Sequence, residues 1–77
     1  MNGIQVNLKR IPIQSTNLAF VEHNPYAKTL LVGFKNGREY LYNGVEETVV
    51  DSLLAAQSKG SYFFKHIKEE FKCKRMK

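Results

Sequence analysis

The sequence predicts an α+β domain: a three- to four-stranded antiparallel meander sheet followed by two C-terminal helices packed on one face. Three observations carry that expectation. Residues 28–34 and 38–42 are apolar-rich runs joined by Asn36-Gly37, and an Asn-Gly pair between such runs is a strong hairpin signal. Past Gly44 the apolar spacing changes from two residues to three and four, the helical period. Finally, the alternating run Leu18 to His23 ends at Asn24-Pro25, which adds a further strand before the hairpin.

Taken in order, Ile4, Val6 and Leu8 alternate with polar residues and read as an edge strand or arm. Ile11-Pro12-Ile13 interrupts it, since proline cannot donate to a ladder. Ser15-Thr16-Asn17 is a turn cluster leading into the second strand. In residues 28–34, Leu30, Val32 and Phe34 share a face, and Asn36-Gly37 is expected to form a type I′ turn. The return strand places Tyr40 and Tyr42 on one face and Leu41 on the other.

Residues 46–56 read as a helix whose apolar face holds Val49, Val50, Leu53 and Leu54, with Glu46 and Glu47 at its positive end. Gly60 is the expected stop, a left-handed residue just past the last turn. A second helical pattern follows, with Phe63, Phe64, Ile67 and Phe71 as its apolar stripe. Lys65, Lys68, Lys72 and Arg75 run along its opposite side, fraying into a tail over residues 74–77.

Seventy-seven residues with 43% apolar side chains suffice for one domain with a small core. The formal charge of +5 is unevenly placed. Basic and acidic side chains balance through residue 58, and all of the excess lies from Lys59 onward. One cysteine, Cys73, excludes an intrachain disulfide and a zinc set built on cysteines. No apolar run approaches the roughly 20 residues of a membrane span, and Met1-Asn2-Gly3-Ile4 lacks a signal-peptide pattern, so a cytoplasmic protein with no membrane partner is expected.

Catalytic chemistry finds no foothold. His23 and His66 lack companions at metal-ligand spacing, none of the serines sits in a nucleophile elbow, and the glycines have turn or strand explanations. The expectation is a protein that is not an enzyme and uses no cofactor or metal. The basic pattern after Gly60 suits phosphates, whose neutralisation releases counterions. The candidate nucleic-acid contacts are Ser58, Lys59, Lys65, Lys68, Lys72 and Arg75 for phosphates, with Tyr62 and Tyr42 as stacking groups. A solvated charged face and tyrosines packed in a core are the ordinary alternatives. Capture of a small anion around Ser58-Lys59-Gly60 is a further, weaker reading.

The order of signals also resembles the KTSC domain. The resemblance rests on Ser15-Thr16-Asn17-Leu18, His23-Asn24-Pro25, Leu30-Leu31-Val32-Gly33-Phe34 with Asn36-Gly37, and Tyr40-Leu41-Tyr42. Its most specific part is Ala56-Gln57-Ser58-Lys59-Gly60-Ser61-Tyr62-Phe63, which matches A-x-S-x-G-x-[YF]-F. The domain takes its name from the C-terminus of certain lysyl-tRNA synthetases and also occurs as stand-alone bacterial and phage proteins. The resemblance implies a domain over residues 13–72, a strand-like arm over 1–12 and a basic tail over 73–77. It departs at His23, Glu46 and Phe64, where the family usually has tyrosine, proline and asparagine. It implies nucleic-acid binding, with RNA favoured. The alternative is a protein-interaction module, such as a phage or mobile-element protein that forms a homodimer or docks on a host protein through its arm.

Overall fold

The computed structural model describes residues 8–77. The expected arm strand at Ile4, Val6 and Leu8 lies almost wholly outside them, and Leu8 has no regular structure. Among these residues five strands form one antiparallel sheet in chain order: β1 (Arg10–Pro12), β2 (Leu18–Asn24), β3 (Thr29–Phe34), β4 (Glu39–Asn43) and β5 (Cys73–Arg75). Helices α1 (Glu47–Ala55) and α2 (Lys59–His66) separate β4 from β5. The α+β class, the meander and the helix pair are as the sequence predicts; the strand count is higher.

The register sorts side chains by face. Val21 lies opposite Val32, Val32 opposite Tyr40, and Leu30 opposite Tyr42. These residues meet Val50, Leu53, Phe63 and Ile67 in one core between sheet and helices. The other face carries the row Arg10, Glu22, Leu31, Leu41 and Lys74. Residue Ala19 is a bulge: Leu18 pairs with Phe34 and Phe20 with Gly33, so the period of two is broken once. That extra residue turns Leu18 into the core while Phe20 stays on the opposite face.

Several local expectations are corrected. A strand not foreseen at residues 10–12 forms the sheet edge, and Pro12 is its last residue, a place at the margin that suits a proline. At Asn36-Gly37 the turn is not type I′. Gly37 alone has positive φ (+92°), its N–H donates to Phe34 O at 3.0 Å, and the Phe34 N–H donates to Arg38 O at 2.9 Å. This is a three-residue loop that ends on a left-handed glycine.

Gly60 is not the stop of α1. That helix ends at Ala55, capped by the extended Ala56, whose N–H donates to Leu53 O, and Gly60 lies in the first turn of α2. A β-carbon there would stand 3.2 Å from Ser15 Oγ, so glycine lets α2 approach the loop before β2.

The long basic helix does not form. The chain leaves helical geometry at Ile67, which has φ −122° and ψ −49°, and residues 73–75 pair with β4. Glu69 and Glu70 would have occupied the negative end of an extended helix, an unfavourable placement. The unpaired edge of β4 takes up the tail instead, with Tyr42 opposite Cys73 and Tyr40 opposite Arg75.

Candidate nucleic-acid interface

The first turn of α2 is set by two hydroxyls. Ser58 caps the helix by accepting from the Ser61 N–H at 3.3 Å, while Ser15 Oγ accepts from the N–H groups of Asn17 and Leu18, each at 3.2 Å. Gly60 brings these two capped segments together. The hollow between them, about 460 Å³, is lined by Gln14, Asn17, Ser58, Lys59 and Lys65, with Phe64 at one side. The serine, the glycine and the phenylalanine that make the sequence motif specific thus have structural reasons: a cap, a close approach, and Phe63 fully buried.

A second hollow of about 300 Å³ opens between the β3–β4 hairpin and the far side of α2. Its walls are aromatic, since Phe34, Tyr40, Phe63 and Phe64 all line it. Phe34 meets Tyr40 and Phe63 edge to face at centroid distances of 5.8 and 5.5 Å, and Phe64 meets Phe63 at 5.4 Å. A third depression, bordered by Asn17, Phe34 and Lys35, shares Phe64 with both. Phe64 borders all three and is 41% exposed. The expected apolar stripe therefore splits. Phe63 and Ile67 face the core, whereas Phe64 turns outward with the Lys68 ammonium 5.1 Å from its ring centroid.

The charge around Phe64 is of one sign. Lys35, Arg38, Lys59, Lys65 and Lys68 line the three depressions, and no carboxylate does. The ion pairs among the described residues, Arg10–Glu22 and Lys28–Glu46, involve none of these five cations. Glu47 and Asp51 border a separate depression beside α1 and β2. Lys59 is partly engaged already, because its Nζ donates to the Ala56 carbonyl at 3.1 Å.

The structure sorts the sequence-derived candidates. Ser58, Lys59 and Lys65 share the first hollow, and Lys68 borders the second. Lys72 precedes β5 and is held through its carbonyl, which accepts from the Asn43 N–H. Arg75 lies in β5 opposite Tyr40, so neither extends a helical row from Lys65 and Lys68. Tyr62 turns to the other side of α2, where its ring lies 4.6 Å from that of His66 and packs on the core.

Tyr42 borders the second hollow but is 3% exposed and packed edge to face with Phe63, so it belongs to the wall of the hollow and the core rather than to an exposed stacking platform. Burial, and then the neighbouring Cys73 thiol, push its phenol up to about 12. Sequence reasoning did not count Phe64, Lys35 or Arg38 among the nucleic-acid contacts, although Phe64 stood out as an extra apolar residue suited to a protein partner. Phe64 carried a signal, since it stands four residues before Lys68, while Phe63 stands four before Ile67. His23 is structural: its Nε2–H donates to the Val45 carbonyl at 2.9 Å. Among the described residues no three His, Cys, Asp or Glu side chains gather as metal ligands, and no helix is long and apolar enough to cross a membrane.

Comparison with known proteins places this geometry in a family. The model of the KTSC domain family matches residues 14–71. An uncharacterized protein of Stutzerimonas stutzeri is 38% identical over 56 residues, covering 73% of this chain and 79% of the relative. A protein of Tsukamurella paurometabola is 33% identical over 61 residues, covering 79% of this chain and 91% of the relative. The crystal structure of a KTSC domain protein from Yersinia pestis superposes with a TM-score of 0.85 at 29% identity, covering 92% of this chain and all of that one.

Proposed function

The chain belongs to the KTSC domain family, and on that footing we propose that it is a non-enzymatic module that binds single-stranded nucleic acid, RNA foremost. The binding surface is the face around Phe64. One observation supports this above the rest: five cations and no carboxylate line the three depressions that meet at this exposed ring. Phosphates are drawn to such a surface because their neutralisation releases counterions. An exposed aromatic face adds stacking that does not depend on base identity. Gln14, Thr16 and Asn17 at the loop offer amide and hydroxyl groups to ribose 2′-hydroxyls, the atoms that distinguish RNA from DNA.

The test is fluorescence anisotropy of a labelled 12-nucleotide RNA over a salt series. The affinity should fall with a log–log slope of roughly 0.7 per neutralised phosphate, so about 2 to 3 for three or four contacts. Charge reversal at Lys65 and Lys68 together should remove most of the binding. Absence of binding to both RNA and DNA oligonucleotides at low salt would overturn the reading.

A further inference from the structure

We propose that the aromatic hollow between the β3–β4 hairpin and α2 receives a single unstacked nucleobase, with the flanking phosphates against Arg38 and Lys68. The inference rests on the nucleic-acid reading above and goes further, by naming which part of the strand enters the protein.

Size, chemistry and charge agree. The hollow, about 300 Å³, stands at the lower limit of small-ligand sites, room for one base and part of its sugar but not for a stacked pair. Its aromatic rings pack edge to face upon one another, which leaves Phe64 as the ring with substantial exposure for stacking. Beside the aromatic rings the hollow is lined by Asn36, Arg38, Lys68 and Cys73, which bring polar groups to it. Asn36 Oδ1 already accepts from the Arg38 N–H at 2.9 Å, so its amide NH₂ is the group left to donate to a base edge. Arg38 and Lys68 border the hollow, and neither is ion-paired among the described residues.

The geometry also selects the form of the strand. In a duplex the base faces are covered by their neighbours, so only a single strand, a loop or a bulge can deliver one to Phe64. A strand held by its phosphates alone would be indifferent to whether bases are present.

That indifference supplies the experiment. The full chain is titrated, at one low salt concentration, with a labelled 12-nucleotide oligouridine and with an abasic oligomer of the same length and charge. The expected result is that the abasic oligomer binds roughly 5- to 150-fold more weakly, the range of one base–aromatic stack. Phe64→Ala should bring the oligouridine down to the abasic level, while Phe64→Trp keeps the difference. Because Phe64 is exposed, the alanine variant is expected to fold, and a thermal melt checks that it does.

Equal, salt-dependent binding of both oligomers would overturn base insertion and leave the phosphate-binding reading intact. Binding of neither would overturn both. A base-dependent difference that persists in Phe64→Ala would move the base elsewhere and so overturn the inference as well.

Discussion

The ring of Phe20 lies across Gly33, on the sheet face that the helices leave uncovered, where a β-carbon would overlap three of its atoms. Arg10 is stacked on the same ring, its guanidinium carbon 3.7 Å from the centroid, while its Nε donates to Glu22 at 2.7 Å. Gly33→Ala must therefore displace the ring and is expected to cost about 1–3 kcal/mol in urea denaturation. In a Phe20→Ala background the same change should be neutral or slightly stabilising, because alanine is the better strand residue once the overlap is gone. Equal costs in the two backgrounds would show that the two residues are not coupled.

Ser58 is a cap before it is a ligand. Ser58→Ala removes the acceptor for the Ser61 N–H and should lower stability by about 0.5–2 kcal/mol, with Ser58→Asp retaining most of it. Paired denaturation curves for the two variants check this.

The buried phenol of Tyr42 makes stability fall in alkali. Its folded value, about 12, stands above the ordinary 10.0, so its neutral form is favoured by the fold. The associated stability is fully present below pH 10 and is lost as pH rises toward 12. Tyr42→Phe should flatten this part of the pH dependence, measured by denaturation at pH 9, 10, 11 and 12. Curves that stay parallel through this range would exclude the effect.

Lys28 holds φ at +57°, a left-handed conformation that costs a residue with a β-carbon roughly 1–2 kcal/mol. Its ion pair with Glu46, 3.0 Å long, is exposed at both ends and offsets little of that. Lys28→Gly should therefore be neutral or stabilising by up to about 1 kcal/mol, and Lys28→Val destabilising. The Lys28 carbonyl, which accepts from Val45 N–H, is retained in both variants.

Charge location separates two groups of lysines. Lys65 and Lys68 border Phe64, whereas Lys74 lies opposite Leu41 on the other face of the sheet. Alanine at either of the first two should reduce the salt slope of RNA binding by roughly 0.7, and alanine at Lys74 should leave it unchanged. An equal response at all three would make the attraction a matter of net charge alone.

The meander and helix pair were legible because their signals are local: alternation in β2 and β3, a turn glycine at 37, and a change of period after Gly44. The end of α2 was not. Lys65, Lys68, Lys72 and Arg75 keep a helical spacing on paper, yet Arg75 lies in a strand paired with β4, and Lys72, just before that strand, is bound through its carbonyl to Asn43, some thirty positions earlier. A local period cannot register that contact. Gly60 illustrates a second limit, since a glycine after a helix suits a left-handed stop, and the contact that decides otherwise is with distant Ser15. At the interface, the basic character of α2 was readable, but Lys35 and Arg38 come from the hairpin and meet it only through the fold.

The placement of β1 and β5 at the two margins of the sheet has a practical corollary. The region that the family model recognises, residues 14–71, contains neither of them. A protein trimmed to that region would keep three strands and both helices but expose β2 on one side and β4 on the other. Each bare margin would present unsatisfied backbone donors and acceptors beside apolar rings. Such a fragment should self-associate more readily than the full chain, through the strands that the short outer ones cover.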